Sequence, residues 1–164
     1  MMYKKLVIAA ALTLTLAACD NNADGYGAGG AGAGGNGSQV YDENSVGYFN
    51  QTIGDRVWFA VDQSNLSQEA IAILDKQADW LLARPQYSVL VEGHADETGT
   101  REYNLALSAK RASAVQQFLV QNGVAASRIR TIPYGKERPI EICSEEACYA
   151  KNRRAVTLLQ AGIS

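Results

Sequence analysis

A chain of 164 residues with 15 basic and 17 acidic side chains, and a formal charge of −2, has room for one ordinary domain with appendages. No basic tract stands out, which argues against a nucleic-acid partner. Three cysteines and a single histidine supply few of the ligands that a metal centre would need.

The first stretch reads as a targeting segment. Lys4 and Lys5 are followed by an apolar run, Leu6 to Ala18, which is too short to span a bilayer comfortably. It ends Leu16-Ala17-Ala18-Cys19, small residues and then a cysteine, the pattern of a lipoprotein box. Cleavage before Cys19 and acylation of its thiol and amine would create a lipid anchor, and more than one acyl chain holds a membrane durably. Removing residues 1–18 takes away two lysines and no acid, leaving 13 basic and 17 acidic residues and a formal charge of −4.

Residues 20–39 are dominated by glycine and alanine and have too little to bury to offset ordering entropy. Twenty such residues form a flexible coil with an r.m.s. span of roughly 25 Å and a drawn-out length of roughly 70 Å, which suits a tether. Val40 to Gly54 reads as a loosely ordered lead-in or a short helix. The division expected is therefore a signal peptide over 1–18, an anchored linker and lead-in over 19–53, and a folded domain over 54–164.

Arg56 to Val61 is rich in aromatic and β-branched residues and predicts a strand. Asp62 to Asn65 form a polar turn. Ser67 can cap a helix, and Leu66 with Ile71 fits a hydrophobic staple. Ile71, Leu74, Ala78 and Leu81 follow helical spacing, and Pro85 should stop this helix near Arg84. Tyr87 to Glu92 predict a second strand. A long helix should run from Arg101 to Asn122, with Gly123 as its stop. Ile129–Tyr134 and Arg154–Leu159 predict two more strands. The order is β-α-β-α-β-loop-β, an α+β fold whose helices cover one face of a small sheet.

The chemistry concentrates at residues 92–112. An apolar run leads into Gly93, then small and polar residues, then the long helix, which is a place where polar groups can converge on a ligand. Ser108, Ala112, Val115 and Leu119 step by four, three and four and form the core face. At about 100° per residue, Arg111 lies roughly 70° from the centre of that face and Lys110 nearly opposite. Asn104 and Leu107 share Arg111's flank. Asp96 and Arg111 then suit a zwitterion, the carboxylate taking an ammonium and the guanidinium fork taking a carboxylate. The same arginine also fits an ordinary ion pair at a helix flank.

Gly93-His94-Ala95-Asp96-Glu97-x-Gly99-Thr100 followed by Glu102-Tyr103-Asn104-x-x-Leu107-Ser108-x-x-Arg111-Ala112 resembles the signature of the OmpA C-terminal-like family. Tyr134-Gly135-Lys136-Glu137 and Asn152-Arg153-Arg154-Ala155-Val156 resemble its downstream motifs, and the likeness spans about residues 54–160. It is greatest toward the lipidated branch of the family that associates with peptidoglycan. The resemblance implies a two-layer domain with a mixed sheet. It implies non-covalent binding of peptidoglycan through the diaminopimelate of the stem peptide, which offers a free amine and carboxylate. Asp96 and Arg111 match the family's central pair, Asn104 and Leu107 match pocket positions, and Phe59 matches an aromatic on the first strand. Either Arg153 or Arg154 would face the pocket. An outer-membrane location, a bilayer contact through acylated Cys19, and Tol-system partners such as TolB are implied with it, as are roles in envelope integrity and cell division. Two departures stand out. Ala60 replaces an acid common in that branch, and Asp20 after Cys19 bears on membrane sorting.

Cys143 and Cys148 lie five apart, and the signal segment places them in an oxidising compartment, where a disulfide is the default. The closed loop is short, so its entropic contribution stays under about 3 kcal/mol. Two thiols alone do not make a metal site. His94, with Asp96 and Glu92 nearby, could hint at a metal-binding or cell-wall-acting domain. The sequence supplies no further ligand set and no Gly-x-Ser-x-Gly elbow. His94 is therefore expected to be structural, with no cofactor and no catalysis.

Overall fold

A computed structural model describes residues 41–142 and 144–161 of the chain. Cys19, the apolar leader, the glycine-rich stretch and Cys143 lie outside the described residues. Helix α1 (Val46–Tyr48) continues as a π-helical turn (Phe49–Gly54) into β1 (Arg56–Trp58). There follow α2 (Gln68–Leu82), β2 (Tyr87–Gly93), α3 (Arg101–Gln121), a 3₁₀ turn (Ala126–Arg128), β3 (Ile129–Pro133), α4 (Glu146–Asn152) and β4 (Arg154–Ala161). The strands form one sheet in the order β1-β4-β2-β3, with β4 antiparallel to both neighbours and β2 parallel to β3. The α+β class and the mixed sheet are as the sequence implies.

Local chemistry sets the helix ends. The Ser67 hydroxyl accepts from the Ala70 N–H and the Thr100 hydroxyl from the Tyr103 N–H, each at 3.2 Å, so both long helices begin on a side-chain cap. Gly123, at φ 98°, ends α3, and the Val124 N–H returns to the Leu119 carbonyl at 3.0 Å. The buried residues of α3 include Ser108, Ala112, Val115 and Leu119, the face expected from spacing, with Asn104 and Arg111 added.

Three departures have physical reasons. First, the stretch between β3 and β4 contains α4, where only a loop was expected. Its seven residues are too few for propensity to hold. Tertiary bonds hold it instead: the fully buried Asn152 accepts from the Ile140 N–H at 2.7 Å and donates to the Glu97 carboxylate at 2.6 Å. Second, the segment before residue 54, read as a loosely ordered lead-in or a short helix, is helical and packs into the domain beyond the expected boundary. Phe49 is fully buried, its ring 5.1 Å from that of Trp80, and Trp80 Nε1 donates to the Glu43 carbonyl at 2.8 Å. Third, β1 ends at Trp58 rather than Val61. After a last bond from the Phe59 N–H to the Arg153 carbonyl at 2.9 Å, the chain turns away through Asp62, whose φ is 58°.

Gly93 brings α3 onto β2. A Cβ there would sit 2.0 Å from the Ser108 carbonyl oxygen, so only glycine permits this approach. Ser108 fastens the same corner by donating to the Leu105 carbonyl and accepting from the Gly135 N–H at 2.9 Å.

Candidate functional site

The loop from β2 to α3 is held from three sides. The His94 N–H donates to the Arg154 carbonyl at 2.9 Å and the Ala95 N–H to the Gly135 carbonyl at 2.8 Å. Asn104 Nδ2 donates to the Thr98 carbonyl at 2.6 Å, and Lys136 reaches the Gly99 carbonyl at 2.8 Å. This fixed loop presents Asp96, which is 6% exposed. One oxygen, Oδ1, accepts from the Thr98 N–H at 3.1 Å and from the Thr98 hydroxyl, while Oδ2 accepts from Arg153 Nη1 at 3.1 Å. Burial pushes the Asp96 carboxyl up, but the bonds from Thr98 and Arg153 outweigh it and hold the group below the usual carboxylate range.

A groove of about 190 Å³ opens beside Asp96, and Asn104 and Leu107 also line it. Of the five expected binding residues, these three come together. Asp62 and Tyr103 face each other across the same groove, the Tyr103 hydroxyl donating to the Asp62 carboxylate. Both were missed in the sequence. Asp62 carries the same signal as Asp96, an acid just beyond an expected strand, but within the polar turn 62–65 that signal does not separate it from its neighbours. Three larger concavities, of about 410, 450 and 390 Å³, lie by Leu105 and Tyr134, beside Trp80, and along Gln116 and Val120. None is lined by a buried charge, so the smaller groove is the chemically distinctive one.

Arg111 and Phe59 are not among the residues lining the groove. Arg111 is fully buried, and its guanidinium donates to three backbone carbonyls: Gln63 and His94 at 2.8 Å, and Ala60 at 3.2 Å. Its centre stands 5.2 Å from the Phe59 ring. The helix phase read from the sequence is right, but the guanidinium fork is engaged with backbone rather than open to a ligand. It ties the turn after β1 to the end of β2. Burial lowers its pKa to about 10, which the charge of Asp96 partly opposes, so it remains a cation at neutral pH beside the groove.

The entry into β4, with Arg153 the residue before the strand and Arg154 its first, separates the arginine pair. Arg153 turns to the groove, donating to Asp96 and Glu146 and to the Phe59 carbonyl at 3.3 Å. Burial depresses its pKa, but the two acids more than compensate and raise it. Arg154 points to the opposite side, where it reaches the Arg138 carbonyl at 3.2 Å. His94 lies there too, 1% exposed and stacked on Tyr134 with ring centroids 5.5 Å apart. Burial, reinforced by Arg154 and Arg138, lowers its pKa to about 3 and keeps it neutral. Among the described residues no group of three or more His, Cys, Asp or Glu could hold a metal ion. Cys148 is buried and disulfide-bonded.

The OmpA family model matches residues 58–153, a span that runs from the end of β1 to the residue before β4 and takes in every groove residue. The chain belongs to the OmpA family. Within it, the chain is 47% identical to a peptidoglycan-associated lipoprotein of Rhizobium meliloti (strain 1021), over 94% of this chain and 86% of the relative. It is 48% identical to that of Mesorhizobium japonicum (strain LMG 29417 / CECT 9101 / MAFF 303099), over 94% and 90%. The crystal structure of the peptidoglycan-associated lipoprotein from Burkholderia pseudomallei superposes with a TM-score of 0.67 at 35% identity, covering 73% of this chain and all of the other. The C-terminal domain of Helicobacter pylori MotB shares the fold, with a TM-score of 0.61 at 22% identity. The chain therefore falls in the peptidoglycan-associated lipoprotein branch of the OmpA family. Among its described residues no helix is long and apolar enough to cross a membrane.

Proposed function

We propose that the domain binds peptidoglycan non-covalently, the groove at Asp96 receiving the free amine and carboxylate of diaminopimelate in the stem peptide. The observation that carries this reading is a groove with both signs of charge. Asp96 and Asp62 stand at its surface, and Arg111 and Arg153 stand beside or beneath it. Desolvated charges of opposite sign fit a zwitterion and reject ligands carrying only one charge. Asp96, ionised and fixed, takes the ammonium. Arg111 supplies positive charge from behind, with Asn104 and Leu107 forming the wall. The names of the relatives support the same ligand class. The role is binding rather than catalysis.

With Cys19 acylated, this domain would tether the outer membrane to the wall through the glycine-rich linker, in company with Tol-system proteins such as TolB. Radiolabelled fatty acid should enter the full chain and not its Cys19→Ser version; equal labelling of both would remove the anchor. The binding test is sedimentation of the Gln39–Ser164 unit with intact sacculi. Wild type should co-sediment and be released by free diaminopimelate, and sacculi with amidated diaminopimelate should retain less. Equal retention of an Asp96→Ala version would overturn the reading.

A further inference from the structure

Glu146 has no part in the groove wall, yet it is connected to it. It stands in the first turn of α4 with its side chain 67% exposed, while Arg153 beneath it is 4% exposed. Arg153 Nη2 donates to Glu146 Oε1, and Nη1 approaches Oε2 at 3.4 Å. The same Nη1 donates to Asp96 Oδ2 at 3.1 Å. One guanidinium is thus shared between a buried acid in the groove and an open acid on the neighbouring helix.

The geometry points to Glu146 as a positioning residue that holds part of Arg153's charge away from Asp96, leaving that carboxylate able to accept a ligand's ammonium. This inference rests on the binding reading above. Asp96 Oδ1 is already occupied by Thr98, so an incoming ammonium must share Oδ2 with Arg153. A lone Arg153 would neutralise Asp96 and repel a second cation at the same oxygen. With Glu146 present, the Asp96–Arg153–Glu146 chain carries a net negative charge. Arg111 on α3 lies near Asp96 and Arg153, and Asp62 after β1 lies near Arg111 with the opposite charge.

The test compares Glu146→Gln with Glu146→Asp in the Gln39–Ser164 unit, which contains the whole described core. Two quantities are read: the titration of the Asp96 carboxyl by carbon-detected NMR, and retention on intact sacculi. Glu146→Gln should lower the Asp96 pKa further, because Arg153 then commits to Asp96 alone, and should weaken sacculus binding about threefold to tenfold. Glu146→Asp should stay near wild type in both. A merely structural Glu146 predicts the opposite titration, since a loosened Arg153 would let the Asp96 pKa rise. An Asp96 pKa unmoved or raised in Glu146→Gln overturns the inference, and so does wild-type retention of that variant. If wild type itself ignored sacculi, the binding reading would fall, and the Asp96 titration alone would decide the role of Glu146.

Discussion

Arg153 and Arg154 are neighbours in sequence, as His94 and Asp96 nearly are, yet the two pairs sort to opposite sides of the sheet. On the groove side, Asp96, Arg153 and Glu146 form a continuous run of charge-assisted bonds. On the far side, His94 is stacked on Tyr134, its Nε2 3.5 Å from Glu92 Oε2 but neither ring nitrogen hydrogen-bonded, and Arg154 Nε is buried without a hydrogen-bond partner. Asp96, Arg153, His94 and Arg154 are all buried, while Glu146, at the open end of the groove-side run, is not. Burial disfavours the ionised form on both sides, and what differs is what opposes it. Hydrogen bonds keep Asp96 charged, whereas desolvation and two nearby arginines keep His94 neutral. A buried titratable side chain is therefore not by itself a binding site.

The sharpest break in this comparison is Arg111→Ala. Removing a buried cation that satisfies three carbonyls should cost about 3–5 kcal/mol of stability, read from the urea midpoint, and sacculus binding should fall with it. Arg111→Lys should also fail, since one ammonium cannot span three carbonyls in a plane. An unchanged urea midpoint for Arg111→Ala would remove its structural role.

Asp96→Ala should mainly affect binding, by about 2–5 kcal/mol, because Arg153 retains Glu146 as a partner while the ligand's ammonium loses its buried counter-charge. Isothermal titration with a diaminopimelate-containing peptide gives the number, and a change below threefold would count against the groove. Asp96 is ionised at neutral pH and its folded pKa is depressed. Its stabilising contribution is thus present above its unfolded pKa and is lost only as pH falls through the lower folded value.

Cys148→Ser should cost less than about 3 kcal/mol and leave sacculus binding measurable, since the bridge proposed to Cys143 closes a short loop. Thiol labelling of both cysteines in unreduced protein would remove that pairing.

The far side supplies a pH test. His94 has an ordinary value of 6.5 and a folded value of about 3, so the unfolded chain binds the proton first as pH falls. Stability is full above about 6.5 and is lost progressively toward about 3, amounting to about 2 kcal/mol at pH 5. His94→Asn should flatten that slope in denaturation at pH 7 and pH 5, and an unchanged slope would mean that His94 does not cause it. The smallest effect belongs to Lys110→Ala. Lys110 is exposed one residue from Arg111, so stability should stay within about 0.5 kcal/mol and binding near normal.

Much of this was legible in the sequence. Periodicity set the core face of α3, a capping residue set where α2 begins, and the Gly93–Ala112 stretch located the groove. These features are local, fixed within a few residues of chain. What tertiary structure decided depends on partners distant in sequence. Arg111's phase on the helix could be counted, but its bonds run to carbonyls at Ala60 and Gln63, so its engagement with backbone could not. Asp62 became a groove residue only when the turn after β1 folded across to Tyr103. Helix α4 had no adequate local signal, because its seven residues are held by Asn152 and the buried Cys148 rather than by propensity. The choice between Arg153 and Arg154 depended on the register in which β4 pairs with β1 and β2, since alternation sends successive side chains to opposite faces and a one-residue slip exchanges them.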